Sequence, residues 1–183
     1  MLIQEAQKEM RQVFLGGSVG SAVSGIIWLV SAALGTFVST RHAILALVLV
    51  GVFIFPLTQL VLKLLGRPSG ARRENPFNYL AMQVAFIVPL GLPVVGGAAL
   101  YNIDWFYPAF MIILGAHYLP FMTLYGMWQW GLLGGVLIFA GLALAMWLPG
   151  ATFAVGGWFT AVVLLLFALY AATIARREAL ATA

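Results

Sequence analysis

The sequence predicts an all-α, polytopic integral membrane protein, a compact bundle of six transmembrane helices with both termini cytoplasmic. Three observations carry this reading. First, 63% of the 183 residues are hydrophobic and 8% are charged, with a mean hydropathy of +1.05. A typical soluble domain carries about 25% charged residues. A water-soluble fold of this size could not hide so much apolar surface, whereas lipid already solvates it. Second, six apolar stretches, near residues 13–38, 43–65, 77–100, 107–127, 131–148 and 154–175, have roughly the 20-residue length that a helix needs to cross a bilayer. Third, the positive charges sort by side. Six spans place Lys8, Arg11, Lys63, Arg67, Arg72, Arg73, Arg176 and Arg177 on one face and leave only Arg41 on the other. The positive-inside rule makes the crowded face cytoplasmic, and the expected location is a bacterial inner membrane. Residues 1–12 read as an interfacial segment, 13–175 as the six-helix domain and 176–183 as a cytoplasmic tail.

The elements follow in order. Ile3, Ala6, Met10 and Val13 recur at helical spacing in a polar start of mixed charge. This predicts a short interfacial helix running on into span one, and it does not read as a cleavable signal. Span one carries Gly17, Gly20, Ser21, Ser24, Ser31 and Gly35 on about one face, and Gly16 and Gly20 make a GxxxG pair. Small residues let helix backbones approach closely. The face reads either as packing, within the chain or against a second copy or partner subunit, or as a hydroxyl wall lining a cavity. Arg41, His42 and Asp104 gather on the outer side, as an ion pair capping the bundle or as a ligand gate. Span two contains the kink residue Pro56 and a glutamine, Gln59. The polar linker 66–75 ends in Asn75-Pro76, which reads as an N-cap and first helical position for span three.

Span three contains Gln83, Pro89 and Pro93. Pro89 deprives the Ala85 carbonyl of its helical donor, and Pro93 does the same to Pro89, so kinks or a broken helix are expected. Span four holds His117, with Pro120 removing the donor to the neighbouring Ala116 carbonyl. His117 lies about 15 Å, or roughly ten residues, from the outer end, close to the bilayer midplane. An imidazole at that depth faces protein or water and not lipid. It reads as a proton relay, a ligand contact or a neutral tie between helices. Tyr118 and Tyr125 share its neighbourhood. Of the aromatic residues near span ends, Tyr101, Trp105, Tyr107, Trp147 and Trp158 read as outer interfacial anchors, and Trp128, Trp130 and Tyr170 as inner ones.

Absences narrow the chemistry. There is no cysteine, so thiolate metal sites and cysteine nucleophiles are excluded. No Asp or Glu lies inside a span, which argues against carboxylate-coupled transport and carboxylate metal sites. His42 and His117 differ in depth by about 15 Å and do not ligate one metal together. Ser24-Gly25 and Ala116-His117 match the residue types of intramembrane serine-protease pairs, but that family's glycine-x-serine-glycine signature is missing. No Walker loop is present. No cofactor and no nucleic-acid partner are expected, and the partners are membrane lipids. The function expected is binding or transport of a neutral, amphipathic or lipid-like molecule in a pocket near His117, with Tyr118, Gln83, Tyr125 and Ser24 as further polar contacts. Two alternatives stay open: an enzyme using His117 as acid/base, for which no catalytic constellation is complete, and an accessory subunit of a membrane complex.

Overall fold

The computed structural model describes residues 1–68, 70–147 and 153–181, and its regular structure is entirely helical, with no strand among those residues. Helix α1 (Ile3–Phe14) buries Ala6, Met10 and Val13 and leaves its other faces more open. It does not run on into the first span. Leu15, Gly16 and Gly17 all take left-handed backbone, with φ of 50°, 61° and 81°. A helix cannot propagate through three such residues, so the chain turns there and α2 (Ser18–Phe37) starts in a new direction.

Helix α3 (Thr40–Leu45), a π turn over Ala46–Val50 and α4 (Ile54–Leu64) make up the second span, bent by 58°. Pro56 explains the bend, since it has no N–H to offer the Val52 carbonyl and its ring crowds that group. Helices α5 (Phe77–Ala85) and α6 (Ile87–Tyr101) divide the third span at Phe86, three residues before Pro89, while Pro93 is accommodated inside α6. Asn75 Oδ1 accepts from the Phe77 N–H at 3.0 Å, so Asn75 does cap this span, and Pro76 has helical dihedrals. Helix α7 (Phe106–Tyr118) stops just before Pro120. The Ala116 carbonyl, which has lost its usual donor, accepts from the Leu119 N–H at 3.3 Å, and a short α8 (Phe121–Tyr125) follows. Helices α9 (Gln129–Trp147) and α10 (Val155–Ala181) complete the bundle. Residue 148, the expected end of span five, lies outside the described residues. Helix α10 continues through Arg176 and Arg177, so the expected tail from residue 176 starts as helix.

Among the described residues five helical runs are long and apolar enough to cross a membrane, and six if the bent pair α3–α4 counts as one span. The chain is a multi-span helical membrane protein. Burying apolar surface gives little drive inside lipid, so such helices associate through close packing and hydrogen bonds. Two antiparallel pairs show how. Along α2 and α10, Gly25 lies against Leu164 and Leu165, while Gly35 lies against Phe153. Along α7 and α9, a Cβ on Gly115 would stand 2.6 Å from the Gly134 carbonyl oxygen, and one on Gly141 would stand 2.7 Å from that of Pro108. The small-residue face of span one is therefore filled within the chain: Ser21, Ser24 and Ser31 are buried and Gly25 is covered by α10. Tyr107 and Trp130, expected at the interface, are core residues at 0% and 1% exposure. Tyr101, Trp128 and Trp147 are exposed, as anchors require.

Candidate functional site

One end of the molecule, here the basic face, is organised by α1. Asn75, in the linker, is buried; its amide donates to the Ala6 carbonyl at 3.1 Å and to Glu9 Oε2 at 3.0 Å. Glu9 Oε1 accepts from the Arg72 backbone N–H at 2.8 Å and from its Nε at 3.1 Å. Partial burial pushes the Glu9 carboxyl up, but the Arg72 N–H, the Asn75 amide and the Arg72 guanidinium outweigh it and hold the group below the usual carboxylate range. Arg11 pairs with Glu178 on α10 at 3.0 Å and donates to the Tyr125 carbonyl, and Gln7 donates to the Thr123 carbonyl at 2.7 Å. Helix α1 thus straps the linker, α8 and the end of α10 together.

Next to this strap, between α2 and α10, lies a groove of about 770 Å3. Its walls are mostly aliphatic, from Val19 and Ala22 on α2 to Ala168, Leu169 and Ala172 on α10, with Leu15 of the turn also lining it. Arg67 and Arg176 line the same groove. Among the described residues no ion pair engages either guanidinium, whereas Arg11 and Arg72 both have carboxylate partners. Room along the groove comes from alanines on α2 and α10, where larger side chains would close it.

The residues expected around His117 are only partly brought together. Tyr118 and Tyr125 are buried in an aromatic cluster around Trp130, at ring-centroid distances of 5.2 and 5.8 Å. Ser24 is buried beside the Tyr118 hydroxyl. His117 sits at the edge of this cluster, 5.3 Å from the Tyr118 ring and 5.1 Å from that of Phe121. Its Nδ1 is 3.0 Å from the Val84 carbonyl, which makes it a tie between α7 and α5. Gln83 is exposed and does not join the cluster. The outer trio does not form a unit either. His42 Nδ1 pairs with Ser39 Oγ at 2.7 Å, Asp104 receives its N-terminal cap from Asn102, and no ion pair among the described residues joins Arg41 to Asp104. The hydroxyl of Ser31 is spent on the Ala43 carbonyl at 2.8 Å and the Tyr107 hydroxyl at 2.6 Å.

No group of three or more His, Asp or Glu side chains among the described residues is placed to hold a metal ion. The pairing of Arg67 with Arg176 escaped the sequence reading because each looked like an ordinary topology signal at a span end. Only the packing of α2 against both α10 and α4, whose end leads to Arg67, makes them neighbours of one groove.

No curated protein and no solved structure matches the chain. A family model matches residues 3–173, nearly the whole length, and so the chain belongs to the family of unknown function DUF7010.

Proposed function

We propose that the protein binds an anionic, lipid-like amphiphile in the α2–α10 groove, with the acidic head group between Arg67 and Arg176 and a hydrocarbon chain along the aliphatic walls. The observation that carries the reading is the groove itself, mostly aliphatic and lined also by two guanidinium groups that have no ion-pair partner among the described residues. Guanidinium is suited to phosphate because it offers paired donors in a plane. This refines the sequence expectation: the ligand class stays lipid-like, but the site moves from α7 to α10 and the head group is anionic, not neutral. The basic face is taken to be cytoplasmic, in a bacterial inner membrane, by the positive-inside rule. Anionic lipids in that leaflet would meet the two arginines at head-group depth.

Binding is favoured over transport because no carboxylate lies in a membrane span to couple an ion gradient. An acid/base role for His117 has less support, since its Nδ1 is engaged by a backbone carbonyl and no buried carboxylate orients it. The test is retention of lipid. Protein reconstituted in nanodiscs containing phosphatidylcholine and phosphatidylglycerol is purified in mild detergent, and bound lipid is quantified by mass spectrometry. The wild type should retain phosphatidylglycerol selectively. The Arg67→Gln/Arg176→Gln variant should lose at least about tenfold in retention, the scale of one charge-assisted hydrogen bond or more. Leu169→Trp should block the groove while leaving both charges. Equal retention of both lipids by wild type, or an unchanged profile in the double variant, would refute the proposal.

A further inference from the structure

The α2–α10 groove contains a third polar group. Ser18, the first residue of α2, lines it together with Arg67 and Arg176. Only 5% of Ser18 is exposed, yet its hydroxyl bonds to nothing among the described residues. Hydroxyls on membrane helices usually fold back onto the carbonyl four residues earlier. Thr36 does so with Ala32 at 2.9 Å, and Thr58 with Ile54 at 2.7 Å. For Ser18 that carbonyl belongs to Phe14, on the far side of the left-handed turn, so the usual partner is turned away. The same turn opens the start of a 20-residue helix onto the groove. A helix N-terminus carries partial positive charge and favours an anion.

The serine and the two arginines reach one place. Helices α2 and α10 are antiparallel, with Gly25 against Leu164 and Leu165, and a Cβ on Gly16 would stand 3.9 Å from the Ala171 carbonyl oxygen. Ser18 is therefore level with about residue 170 of α10, and Arg176 lies roughly 9 Å closer to the basic end. Arg67 comes from the other wall. Gly66, with φ of 70°, closes α4: its N–H bonds to the Lys63 carbonyl and that of Arg67 to the Leu62 carbonyl, both at 3.0 Å. This paired closure holds Arg67, which is partly buried, against the helix end. Thr58 would stand 3.8 Å from a Cβ on Gly20. The end of α4 is thus about 6 Å beyond the level of Ser18, toward the basic end. Both offsets are within the reach of an arginine side chain. Glu178, two residues after Arg176, is paired with Arg11 at 3.0 Å, and Glu9 with Arg72 at 3.1 Å.

We infer that the groove selects a phosphomonoester amphiphile, a lipid whose head group ends in phosphate, with Ser18 donating to one terminal oxygen while Arg67 and Arg176 hold the others. Phosphomonoester selection rests on the anionic-lipid reading of the groove and narrows it. Such a phosphate carries about −1.5 to −2 charges near neutral pH and three acceptor oxygens. It balances two guanidinium groups and also occupies the serine. A phosphodiester, with a single charge and two terminal oxygens, does neither in full.

The test uses full-length protein in phosphatidylcholine nanodiscs containing equal amounts of dioleoyl phosphatidic acid and dioleoyl phosphatidylmethanol, which differ by one methyl ester. Lipid retained after purification in mild detergent is quantified by mass spectrometry. The wild type should retain phosphatidic acid about tenfold over phosphatidylmethanol, the scale of one charge-assisted hydrogen bond. Ser18→Ala should bring the two close to equality, and Ser18→Thr, which keeps the hydroxyl, should restore the preference. An unchanged preference in Ser18→Ala would overturn the inference. In lipid-free protein Ser18→Ala should leave the melting temperature unchanged; a clear fall would mean that the hydroxyl is spent within the chain, and the inference would fail. Equal retention of the two anionic lipids by wild type, both above phosphatidylcholine, overturns phosphomonoester selection while the broader groove reading stands. Enrichment of neither overturns both. Glycerol 3-phosphate carries the same phosphate without chains and should not displace bound phosphatidic acid at equal concentration; displacement would mean a site for free phosphate esters and not for a lipid.

Discussion

Substituting Gly17 with alanine tests the turn that sets the strap. Gly17 has φ of 81° and ψ of 5°, a conformation that disfavours a Cβ-bearing residue by about 1–2 kcal/mol. The added carbon would also stand 2.5 Å from Cζ2 of Trp130 and 3.1 Å from the Tyr125 ring. Neither ring has slack, because Trp130 is wedged among Tyr118, Phe121 and Phe167, with centroids 5.2, 4.8 and 4.5 Å away. Overpacking a core of this kind costs about 1–3 kcal/mol, so the two effects together reach roughly 2–5 kcal/mol. That is a large part of the 5–15 kcal/mol by which folded proteins are usually stable. The comparison is Gly96→Ala, in α6, where the added carbon meets nothing within 4 Å and no strain is relieved or imposed. Unfolding by titration with sodium dodecyl sulfate, followed by tryptophan fluorescence, measures both. Gly17→Ala should unfold at clearly lower detergent fraction, with faster proteolysis in α1, while Gly96→Ala should match wild type. If the two variants lie within about 1 kcal/mol of each other, both the left-handed turn and the indole contact have been misassigned.

His117→Leu removes the bond to the Val84 carbonyl and should destabilise the protein by about 1–3 kcal/mol without unfolding it, while His117→Gln should recover part of the loss. Neither should change phosphatidylglycerol retention; a loss of bound lipid in the leucine variant would return the ligand site to α7. Glu9 should make stability acid-sensitive. Its folded pKa is held below the ordinary carboxylate value of 4.5, so its contribution is complete above about pH 4.5 and disappears as the pH falls through the lowered folded value. Glu9→Gln should flatten that acid-side decline in a melting-temperature profile taken between pH 3 and 7, and an identical slope in both proteins would show that the Glu9 contacts contribute nothing.

The breaks in the spans were legible because each has a local cause. Pro56, Pro89 and Pro120 withhold a donor wherever they stand, and the chain bends or stops within a few residues of each. Asn75 was legible as a cap for the same reason, since a side-chain oxygen two residues before Phe77 satisfies a helix end without help from elsewhere. The site was much less legible. His117, Tyr118, Tyr125 and Ser24 were singled out by type and depth, and the last three do meet, but His117 is tied outward to Val84 and Gln83 is exposed. Trp130 was assigned to the interface because an indole near a span end normally belongs there, yet it is the centre of the aromatic cluster.

By itself, the sequence determined that the chain lives in a bilayer, roughly how many times it crosses and which ends carry the positive charge. These follow from composition and length, which act residue by residue. Tertiary structure alone decided which face of each helix meets protein. In water an apolar stripe marks the buried side, but lipid is as apolar as the interior, so α9 and α10 carry no clear sidedness to read. Contact is chosen instead by shape: Gly25 against Leu165, Gly115 against Gly134, alanines leaving a groove beside Arg67 and Arg176. Such fits depend on pairs of residues far apart in the chain, and they exist only once the helices are side by side.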